Sequence, residues 1–488
     1  MPRSAAAAEN NAALPTDQPG SRTRLTALIV ACALFMQNLD GTVIATALPT
    51  MARAFGADPV HMNIALTSYL LSLAVFIPAS GWMADRFGAR TVFRAAIAVF
   101  TLGSVLCGRA DTLGFLVAAR ILQGIGGALM VPVGRLVLLR TAAKHELVAA
   151  MAWLSAPALI GPVVGPPLGG FLVTYMSWRW IFDINVPIGV LGIVLVTRYV
   201  PNTREPGAGR LDLLGLVLSA ISLAGLMFGF EAAARPGTPS GLSIATLSIA
   251  VLAALLYLLH ARRHAAPLLD FTLMRIPTFM VSVVGGSLFR IGVGATPFLL
   301  PLMLQIGFGL SAVQSGLITF ANAAGAIVMK PAATTALRRF GFRDTLLANG
   351  IISALSLALC AAFRPTWPLA AIYAVLLCGG LFRSLQFTAY NTIAYGDIAP
   401  ARMSAATSLY ATLQQVSLTL GVTAGAASLE AAMALHHHSA PGLGDFSAGF
   451  LVVGFVSLLG APVSLLMSRT AGAELSGQRV GVTAPGRG

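Results

Sequence analysis

Two short basic stretches of the chain share one pattern and lie far apart. Residues 86–90 read Arg-Phe-Gly-Ala-Arg and residues 339–343 read Arg-Phe-Gly-Phe-Arg, a separation of 253 positions. Each stretch lies between two long apolar segments, as a loop between membrane helices would. A basic loop repeated at about half the chain length indicates two related membrane-embedded halves, an architecture that is typical of secondary transporters.

The low proportion of charged residues excludes a water-soluble fold. Of the 488 residues, 57% are hydrophobic and 10% are charged, whereas soluble domains carry about 25% charged residues. Because a water-soluble core cannot hold so much apolar sequence, the bilayer must be the solvent. Many segments reach the ~20 apolar residues that an α-helix needs to cross a membrane, and the ~10-residue alternating segments of a barrel are absent. The composition therefore predicts an all-α membrane protein.

The apolar segments predict fourteen transmembrane helices. They cover roughly residues 25–48, 62–84, 91–109, 113–135, 147–174, 180–200, 211–232, 241–260, 276–303, 312–334, 345–363, 367–392, 404–429 and 447–467. We expect the seventh and eighth to be an insertion between two six-helix halves. The chain then divides into a tail at 1–24, an N-terminal half at 25–200, a linker with the two extra helices at 201–275, a C-terminal half at 276–467 and a tail at 468–488.

The distribution of lysine and arginine predicts the orientation of the chain. With the N terminus in the cytoplasm, the inner segments contain 23 of these residues and the outer loops contain 5. Positive residues are enriched on the cytoplasmic side of membrane proteins, so both termini are expected there. The same distribution accounts for the net charge of +14 without nucleic acid as a partner.

The sequence lacks the residue patterns of an enzyme, a metal centre or an ATP-driven pump. The four cysteines lie within apolar segments and do not have the spacing of metal ligands. His436, His437 and His438 are consecutive, so their side chains do not converge as spaced ligands would. The chain has no Gly-rich phosphate loop ending in Lys and Ser or Thr. We therefore expect no cofactor, no metal and no enzymatic activity, with a non-transporting sensor or scaffold as an alternative class.

Four charged residues lie well inside the predicted spans, away from the span ends. Asp40, Arg120, Arg290 and Arg383 belong to predicted helices 1, 4, 9 and 12. A charged side chain costs ~3 kcal/mol or more at the centre of a bilayer unless it faces a partner or water, so each is a candidate functional residue. If helices 7 and 8 are an insertion, helix 9 is the counterpart of helix 1 and helix 12 that of helix 4. The four charges then occupy only two structural positions, each used twice.

The depths of Asp40 and Arg120 predict that the two residues interact. At 1.5 Å per residue, Asp40 lies ~22 Å from the inner face and Arg120 lies ~12 Å from the outer face. In a ~30 Å hydrocarbon core these depths are nearly the same layer. Our hypothesis is that Asp40 carries a proton and that Arg120 sets its proton affinity, with a static ion pair between two helices as the alternative.

Five longer motifs resemble those of a known family. They lie at 39–49 in helix 1, at 81–90 between helices 2 and 3, at 120–128 in helix 4, at 161–170 in helix 5 and at 178–189 before helix 6. Together they resemble the major facilitator superfamily, and in particular its fourteen-helix drug/proton antiporters of the EmrB/QacA type. In the C-terminal half, the stretches 289–298 and 382–384 are similar to the MdtD group of multidrug transporters. Ala45, Asp183 and Arg338 depart from the usual patterns, which affects the expected substrate and gating but not the fold.

The resemblance implies a function and two groups of mechanistic residues. It implies proton-coupled efflux of small molecules across a bacterial inner membrane by alternating access between the halves. The gating loop between helices 2 and 3 would comprise Gly81, Asp85, Arg86, Gly88 and Arg90, and we expect Asp85 to face the arginines at 86, 90 and 94. The antiporter motif of helix 5 would comprise Gly161, Pro162, Gly165, Pro166, Gly169 and Gly170. Glycines at four-residue spacing allow close approach of a neighbouring helix, so a packing seam and a gate are both compatible with helix 5.

Other polar residues of the spans are candidates for a substrate cavity. They are Arg290, Arg383, Gln37, Asn38, Gln386 and Asn391. The two arginines could bind an anionic group or pair with Asp40 across the cavity, and two arginines against one acid favour a neutral or anionic substrate. An alternative function is therefore transport of a metabolite or organic anion by the same fold. The expected partners are a small-molecule substrate, protons and the bilayer, with the chain acting as a monomer.

Overall fold

The structure is a computed structural model that describes residues 20–56, 63–204, 211–233, 240–264, 267–310, 312–437 and 441–478. In these ranges the chain is helical, with no strand. The predicted boundaries of the two tails and of the linker lie partly outside the described residues. An all-helical architecture agrees with the composition, because only helices satisfy every backbone group within one membrane-spanning segment of this kind.

The first part of the chain forms ten α-helices. They are α1 (Ser21–Phe55), α2 (Asn63–Phe76), α3 (Ser80–Phe87), α4 (Ala89–Gly108), α5 (Leu113–Thr141), α6 (Leu147–Tyr175), α7 (Trp180–Asp183), α8 (Asn185–Tyr199), α9 (Leu213–Ala233) and α10 (Ser240–Arg263). Local chemistry sets several ends. A 3₁₀ turn at 77–79 that contains Pro78 separates α2 from α3, and the Thr112 side chain caps α5 by accepting a hydrogen bond from the Phe115 amide.

The second part of the described chain forms eight more. They are α11 (Pro277–Leu302), α12 (Ala312–Val328), α13 (Ala333–Leu359), α14 (Leu369–Ile393), α15 (Met403–Leu435), α16 (Leu443–Leu458), α17 (Gly460–Val463) and α18 (Ala473–Ser476). Proline occupies the first position of α11, where its missing N–H is not needed. The ends of α5 and α15 extend past the predicted spans, since helical hydrogen bonding continues beyond the apolar residues.

The two parts repeat one packing arrangement. Helix α1 packs on α5, α6 and α8, and α11 packs on α14, α15 and α16. In the same way, α4 packs on α5 and α8, while α13 packs on α14 and α16. The set of neighbours is therefore the same in both parts when α1, α4, α5, α6 and α8 are matched with α11, α13, α14, α15 and α16. This correspondence favours the division into two six-helix halves around the pair α9 and α10.

The two basic loops have the same backbone conformation. Gly88 ends α3 with φ of 93°, and Gly341 breaks α13 with φ of 71°. Both values lie in a region that glycine adopts without steric cost. A Cβ atom at Gly88 would overlap the side chain of Asn202, and one at Gly341 would overlap the side chain of Gln478. The repeated sequence pattern thus corresponds to a repeated turn that packs against an amide at the end of each half.

Three clusters of buried hydrophobic residues form the described core. One cluster contains residues of both halves, including Phe93 and Tyr410. Another, with Phe182, belongs to the N-terminal half, and the third, with Phe363, belongs to the C-terminal half. The halves therefore share a core at the end of the molecule that contains the two basic loops, and they have separate cores towards the opposite end.

The pair α9 and α10 lies across the boundary between the halves. These helices pack on each other, and α9 also contacts α2 of the first half and α15 of the second. The segment after α10 is fixed to the second half, because Asp270 accepts a hydrogen bond from Arg402 at 2.5 Å and another from the Thr272 hydroxyl. Burial raises the pKa of the Asp270 carboxyl, but these hydrogen bonds outweigh it and hold the pKa below its usual value.

Ten helical segments within the described residues are long and apolar enough to cross a membrane. Every predicted span overlaps at least one described helix, but the number fourteen stays a prediction. Among the other segments, α2 has 14 residues and α12 has 17, which is short for a bilayer of ~30 Å. The chain is thus a multi-pass helical membrane protein.

Candidate functional site

A buried ion pair joins α1 to α5. The Arg120 Nη1 atom donates to Asp40 Oδ2 at 2.6 Å, and the two side chains are 0% and 1% exposed. The predicted contact between these two residues is therefore present. Two charges buried away from water are tolerated only when they are paired and hydrogen-bonded.

Neutral donors complete the surroundings of the Asp40 carboxylate. Gln123 Nε2 donates to Asp40 Oδ1 at 2.8 Å, and Asn185 Nδ2 donates to the same oxygen at 3.2 Å. Both amides also donate to the Ser104 hydroxyl, at 3.0 and 2.9 Å. Donors therefore face both carboxylate oxygens. Four helices, α1, α4, α5 and α8, contribute to this cluster, which we call the Asp40 network.

The Arg120 guanidinium is held by more than the carboxylate. Its Nε donates to the Ala65 carbonyl at 3.0 Å, and its Nη1 also donates to Gln123 Oε1 at 2.6 Å. The guanidinium carbon lies 4.2 Å from the centroid of the Tyr69 ring. Its Nη2 is buried without a hydrogen-bond partner. The guanidinium would thus keep a hydrogen bond and a ring contact on α2 and a hydrogen bond on α5 if α1 withdrew Asp40, but its charge would lose its counter-ion.

The glycines of helix 5 lie beside the Asp40 network. A Cβ atom at Gly161 would stand 3.0 Å from the Asn38 Cβ atom, and one at Gly165 would overlap the Thr42 hydroxyl oxygen. Asn38 and Thr42 lie two residues before and after Asp40 on α1. Gly169 is buried in the same helix. The prolines at 162 and 166 and Gly170 belong to α6, but their surroundings lie outside the described residues.

In the C-terminal half, Arg290 occupies a buried polar site on α11. Its Nη2 donates to the Tyr410 hydroxyl and, at 3.4 Å, to Asn391 Oδ1. The guanidinium carbon also lies 4.8 Å from the Tyr410 ring centroid and 5.4 Å from that of Phe387. Arg135 of α5 approaches the opposite half here, with its guanidinium carbon 5.5 Å from the Tyr410 ring. Arg290 and Asn391 are thus brought together, as a shared site would require.

Arg383 occupies a separate polar site on α14. Its Nη2 donates to Asn322 Oδ1 at 2.6 Å, its Nη1 to the Thr296 hydroxyl at 3.2 Å and its Nε to the Gly379 carbonyl at 3.1 Å. Neither Arg290 nor Arg383 makes an ion pair in the part of the chain that the structure describes. The alternative that these arginines pair with Asp40 is wrong for this conformation, because Arg120 and the neighbouring amides already surround that carboxylate.

The remaining cavity candidates are dispersed. Gln386 donates to the Leu346 carbonyl at 3.0 Å and accepts from Asn349 at 2.7 Å, which is a helix-to-helix contact between α14 and α13. Asn38 donates to the Leu34 carbonyl at 2.8 Å, whereas Gln37 has a buried oxygen without a partner. The six candidate cavity residues therefore do not form one cluster, and their role in substrate binding stays a prediction.

The gating motif joins the two halves at one end of the molecule. Asp85 accepts a hydrogen bond from Arg140 at 2.8 Å and another from the Ser404 hydroxyl of α15. The Gly81 amide donates to the Ser408 hydroxyl at 2.8 Å, and a Cβ atom at Gly81 would stand 2.7 Å from the Ser404 carbonyl oxygen. Glycine is thus required for this close approach between α3 and α15.

The expectation that Asp85 faces the arginines of its own loop is wrong. Arg86 is exposed, and Arg90 donates to the Val200 carbonyl at 3.4 Å. The partner of Asp85 is Arg140 at the end of α5, since the turn at Gly88 directs the loop arginines away from α5. Arg135 adds contacts to Tyr395 and Gln414 of the other half at 3.3 and 3.4 Å.

Several residues of these sites were not identified as functional from the sequence. They are Tyr69, Ser104, Gln123, Asn185, Arg140, Asn322, Ser404, Ser408 and Tyr410. Gln123 and Asn185 lie within the motifs at 120–128 and 178–189, so a polar residue in an apolar span was the available signal. The serines gave no such signal, because a serine hydroxyl in a helix often bonds to the backbone of its own helix.

Comparisons with known proteins agree with this architecture. The family described as Major Facilitator Superfamily matches residues 30–422 and 284–482. The chain is 42% identical to a "Putative multidrug resistance protein MdtD" of Salmonella heidelberg, over 82% of this chain and 85% of that protein. It is 41% identical to the protein of the same name from Escherichia coli, over 84% and 86%.

Two solved structures share the fold. The human organic anion transporter MFSD10 (TETRAN) matches with a TM-score of 0.65 and 15% identity, covering 92% of this chain and 100% of that one. The proton:xylose symporter XylE matches with a TM-score of 0.65 and 15% identity, covering 93% and 98%. At this level of identity the likeness concerns the fold alone.

Proposed function

The chain belongs to the major facilitator superfamily, and on that premise we propose that it exports small molecules in exchange for protons, as a multidrug-type antiporter of the bacterial inner membrane. Membership of this family and the similarity to multidrug resistance proteins make the chain a transporter and not an enzyme. The proton coupling, the identity of the substrates and the roles of individual residues are our proposal. The chain is taken to work as a monomer with both termini in the cytoplasm.

The single observation that carries the proposal is the Asp40 network. A carboxylate whose side chain is 1% exposed, at membrane depth and on the first helix of the bundle, is costly to bury and is therefore a candidate functional residue. Its hydrogen-bond donors lie on α5 and α8, so a relative movement of α1 changes how many donors face it. Loss of the Arg120 contact would favour protonation of Asp40, and its return would favour release. Proton uptake and release on opposite sides would follow.

The distribution of contacts between the halves supports alternating access. The hydrogen bonds that join Asp85, Gly81 and Arg135 to the second half cluster at the end with the basic loops. The shared hydrophobic cluster lies at that end too. By the charge distribution this end is cytoplasmic, so we propose that the structure has its inner side closed. The outward path would then open when these contacts hold and close when they separate.

The C-terminal half favours substrates that are not strongly cationic. Arg290 and Arg383 are 1% and 8% exposed and have only neutral partners in the described chain. Two uncompensated cations repel a cationic ligand and attract an anionic one. This observation supports the alternative function, transport of a metabolite or organic anion. It also agrees with efflux of neutral or acidic drugs, so the substrate panel must contain all of these classes.

The proposed function is tested by proton release from proteoliposomes that contain the purified chain. A panel of cationic, neutral and anionic compounds is added, and internal pH is followed with a fluorescent indicator. We expect a compound-dependent proton movement that is abolished by a protonophore. Compound uptake without proton movement would contradict antiport, and uptake confined to small metabolic anions would favour the alternative function.

The contact between Asp85 and α15 leads to a prediction about the closed end. Asp85→Asn removes the charge that bonds to Arg140 and Ser404, so the closed inner side should separate more often. Hydrogen bonds to charged groups contribute about 1.5–3 kcal/mol, which corresponds to about a tenfold or larger change in the equilibrium. The measurement is maleimide labelling of a Ser408→Cys reporter from the cytoplasmic side, in a chain without the native cysteines.

The matched control is Asp111→Asn, which breaks an exposed ion pair with Arg179. The Asp111 side chain is 88% exposed, and such surface ion pairs contribute little to stability. Labelling of the reporter should therefore not change. Equal labelling rates with and without Asp85→Asn would show that this contact does not hold the inner side closed.

A further inference from the structure

Three potential metal ligands meet at one end of the α9–α10 pair. Asp212 directly precedes α9, His260 lies in the last turn of α10 and His264 follows that helix. Because the two helices are antiparallel neighbours, the start of α9 lies beside the end of α10. The three residues are 48 and 4 positions apart in the sequence, and only the pairing of the helices brings them together.

The geometry of the three side chains is convergent. Asp212 Oδ1 and His260 Nε2 are 2.8 Å apart. One ligand atom from each of the three residues lies within 4.8 Å of the other two. The His264 amide donates to the His260 carbonyl at 3.0 Å, so the two imidazoles project from the same face of the helix. Their ring centroids are 5.1 Å apart.

Helix capping explains only part of the environment of Asp212. Its Oδ1 accepts a hydrogen bond from the Gly215 amide at 2.8 Å, as an N-cap residue does. Its Oδ2 is buried and has no hydrogen-bond partner, although the residue is only 4% exposed. An unpaired buried oxygen of a carboxylate is costly, and a cap needs neither this oxygen nor two histidines.

Glycine at 215 provides the space for this carboxylate. A Cβ atom at that position would overlap Asp212 Oδ2 and lie 2.6 Å from the carboxyl carbon. Any other residue at position 215 would therefore push the unpaired oxygen away from the histidines.

From these observations we propose that Asp212, His260 and His264 form a binding site for a divalent transition-metal cation, with Zn²⁺ as the representative ion. Two neutral imidazoles and one carboxylate are a donor set that suits Zn²⁺, Ni²⁺ and Co²⁺. Zinc has ligands at about 2.0–2.2 Å in a tetrahedral arrangement, which requires His264, whose ring is accessible, to move closer. Asp212 Oδ2 would be the carboxylate ligand, and water would complete the coordination.

The site would fasten the start of α9 to the end of α10. Helix α9 contacts α2 of the first half and α15 of the second, so the fastened pair touches both halves. The cation would thereby stabilise the folded arrangement of the inserted helices. This inference is independent of proton coupling and of the substrate, because none of the three residues belongs to the Asp40 network.

The test is zinc binding to the purified full-length chain in detergent, without a polyhistidine tag. The background is His436, His437 and His438 changed together to Ala, because these adjacent histidines could bind zinc weakly. After removal of metal with a chelator, Zn²⁺ is titrated in competition with a chromophoric chelator. We expect about one ion per chain, and Asp212→Asn, His260→Ala or His264→Gln should each weaken binding by about tenfold or more.

Controls separate loss of a ligand from loss of the fold. Asp212→Asn keeps an oxygen that can cap α9, and His264→Gln changes a side chain at the surface. His145→Ala removes a histidine of a distant turn and should leave the affinity unchanged. Zn²⁺ should raise the unfolding temperature of the parent but not of the ligand variants. Absence of stoichiometric binding, or equal affinity in the parent and in Asp212→Asn, would leave a capped helix pair without a metal site.

Discussion

Asp40→Asn is expected to abolish proton-coupled transport. The substitution keeps the size of the side chain but removes the only acidic group of the network, so no proton can be carried there. Compound-dependent proton release should fall to the level of protein-free liposomes. The measurement is internal pH in proteoliposomes that contain equal amounts of the two proteins.

A purely structural role for the ion pair makes a different prediction. Removing one partner of a buried pair can destabilise a protein by about 3–5 kcal/mol, because the other charge is left uncompensated. Substrate exchange across the membrane at equal pH distinguishes the two roles. If Asp40 carries protons, exchange persists in Asp40→Asn while net proton-driven transport is lost. If the pair only holds α1 to α5, both activities fall together.

The matched control for Asp40 is Asp183→Asn. Asp183 also pairs with an arginine, but the Arg109 side chain is 63% exposed and that of Asp183 is 23% exposed. Exposed ion pairs contribute little, so transport should remain close to that of the parent. Full proton-coupled transport in Asp40→Asn would exclude this residue as the carrier.

Gly165→Leu is expected to stop transport without preventing expression. Gly165 faces α1 at Thr42, and even a Cβ atom would overlap the Thr42 hydroxyl oxygen. A leucine must therefore force α6 away from α1 next to Asp40. Overpacking costs about 1–3 kcal/mol, and each ~1.4 kcal/mol is a factor of ten, so transport should fall by about tenfold or more. Uptake of a substrate into inverted vesicles, normalised to the amount of protein, measures the effect.

Two companion variants show whether the α1–α6 contact is responsible. Gly114→Leu introduces the same side chain at an exposed position with nothing within 4 Å, so transport should not change. Gly165→Ala should have a smaller effect on transport. Adding Thr42→Ala to Gly165→Ala should partly restore transport, because it removes the hydroxyl oxygen that the new Cβ atom overlaps. Normal transport in Gly165→Leu would show that a close and fixed approach of these helices is not needed.

Much of the fold could be predicted from residue type and spacing. The low charge content requires a bilayer, and a span length follows from the rise per residue of a helix. The repeat of the basic loop predicted a repeated turn, which occurs at Gly88 and Gly341. Membership of the superfamily followed from five motifs together. The number of spans was harder, because α12 is short and a 3₁₀ turn that contains Pro78 divides the second predicted span into α2 and α3.

The pairing of Asp40 with Arg120 was also accessible from the sequence. Depth is determined by position along a straight helix, and both residues had to find a partner in a medium without water. Depth does not fix the rotation of a helix about its own axis. For that reason the sequence did not identify Gln123 and Asn185 as partners of Asp40, and it assigned the wrong partners to Asp85.

The contacts that only the tertiary structure decided join residues far apart in the chain. Asp85 meets Ser404 across 319 positions, Arg290 meets Tyr410 across 120, and Asp212 meets His260 across 48. Hydropathy and charge place each residue at a depth and on a side of the membrane. They do not determine which helices become neighbours, because lipid is as apolar as a neighbouring helix and the choice rests on packing of small residues and on specific hydrogen bonds. The sequence by itself thus determined the class and predicted the two halves and the layer of the buried charges, while the fold determined the partners of those charges.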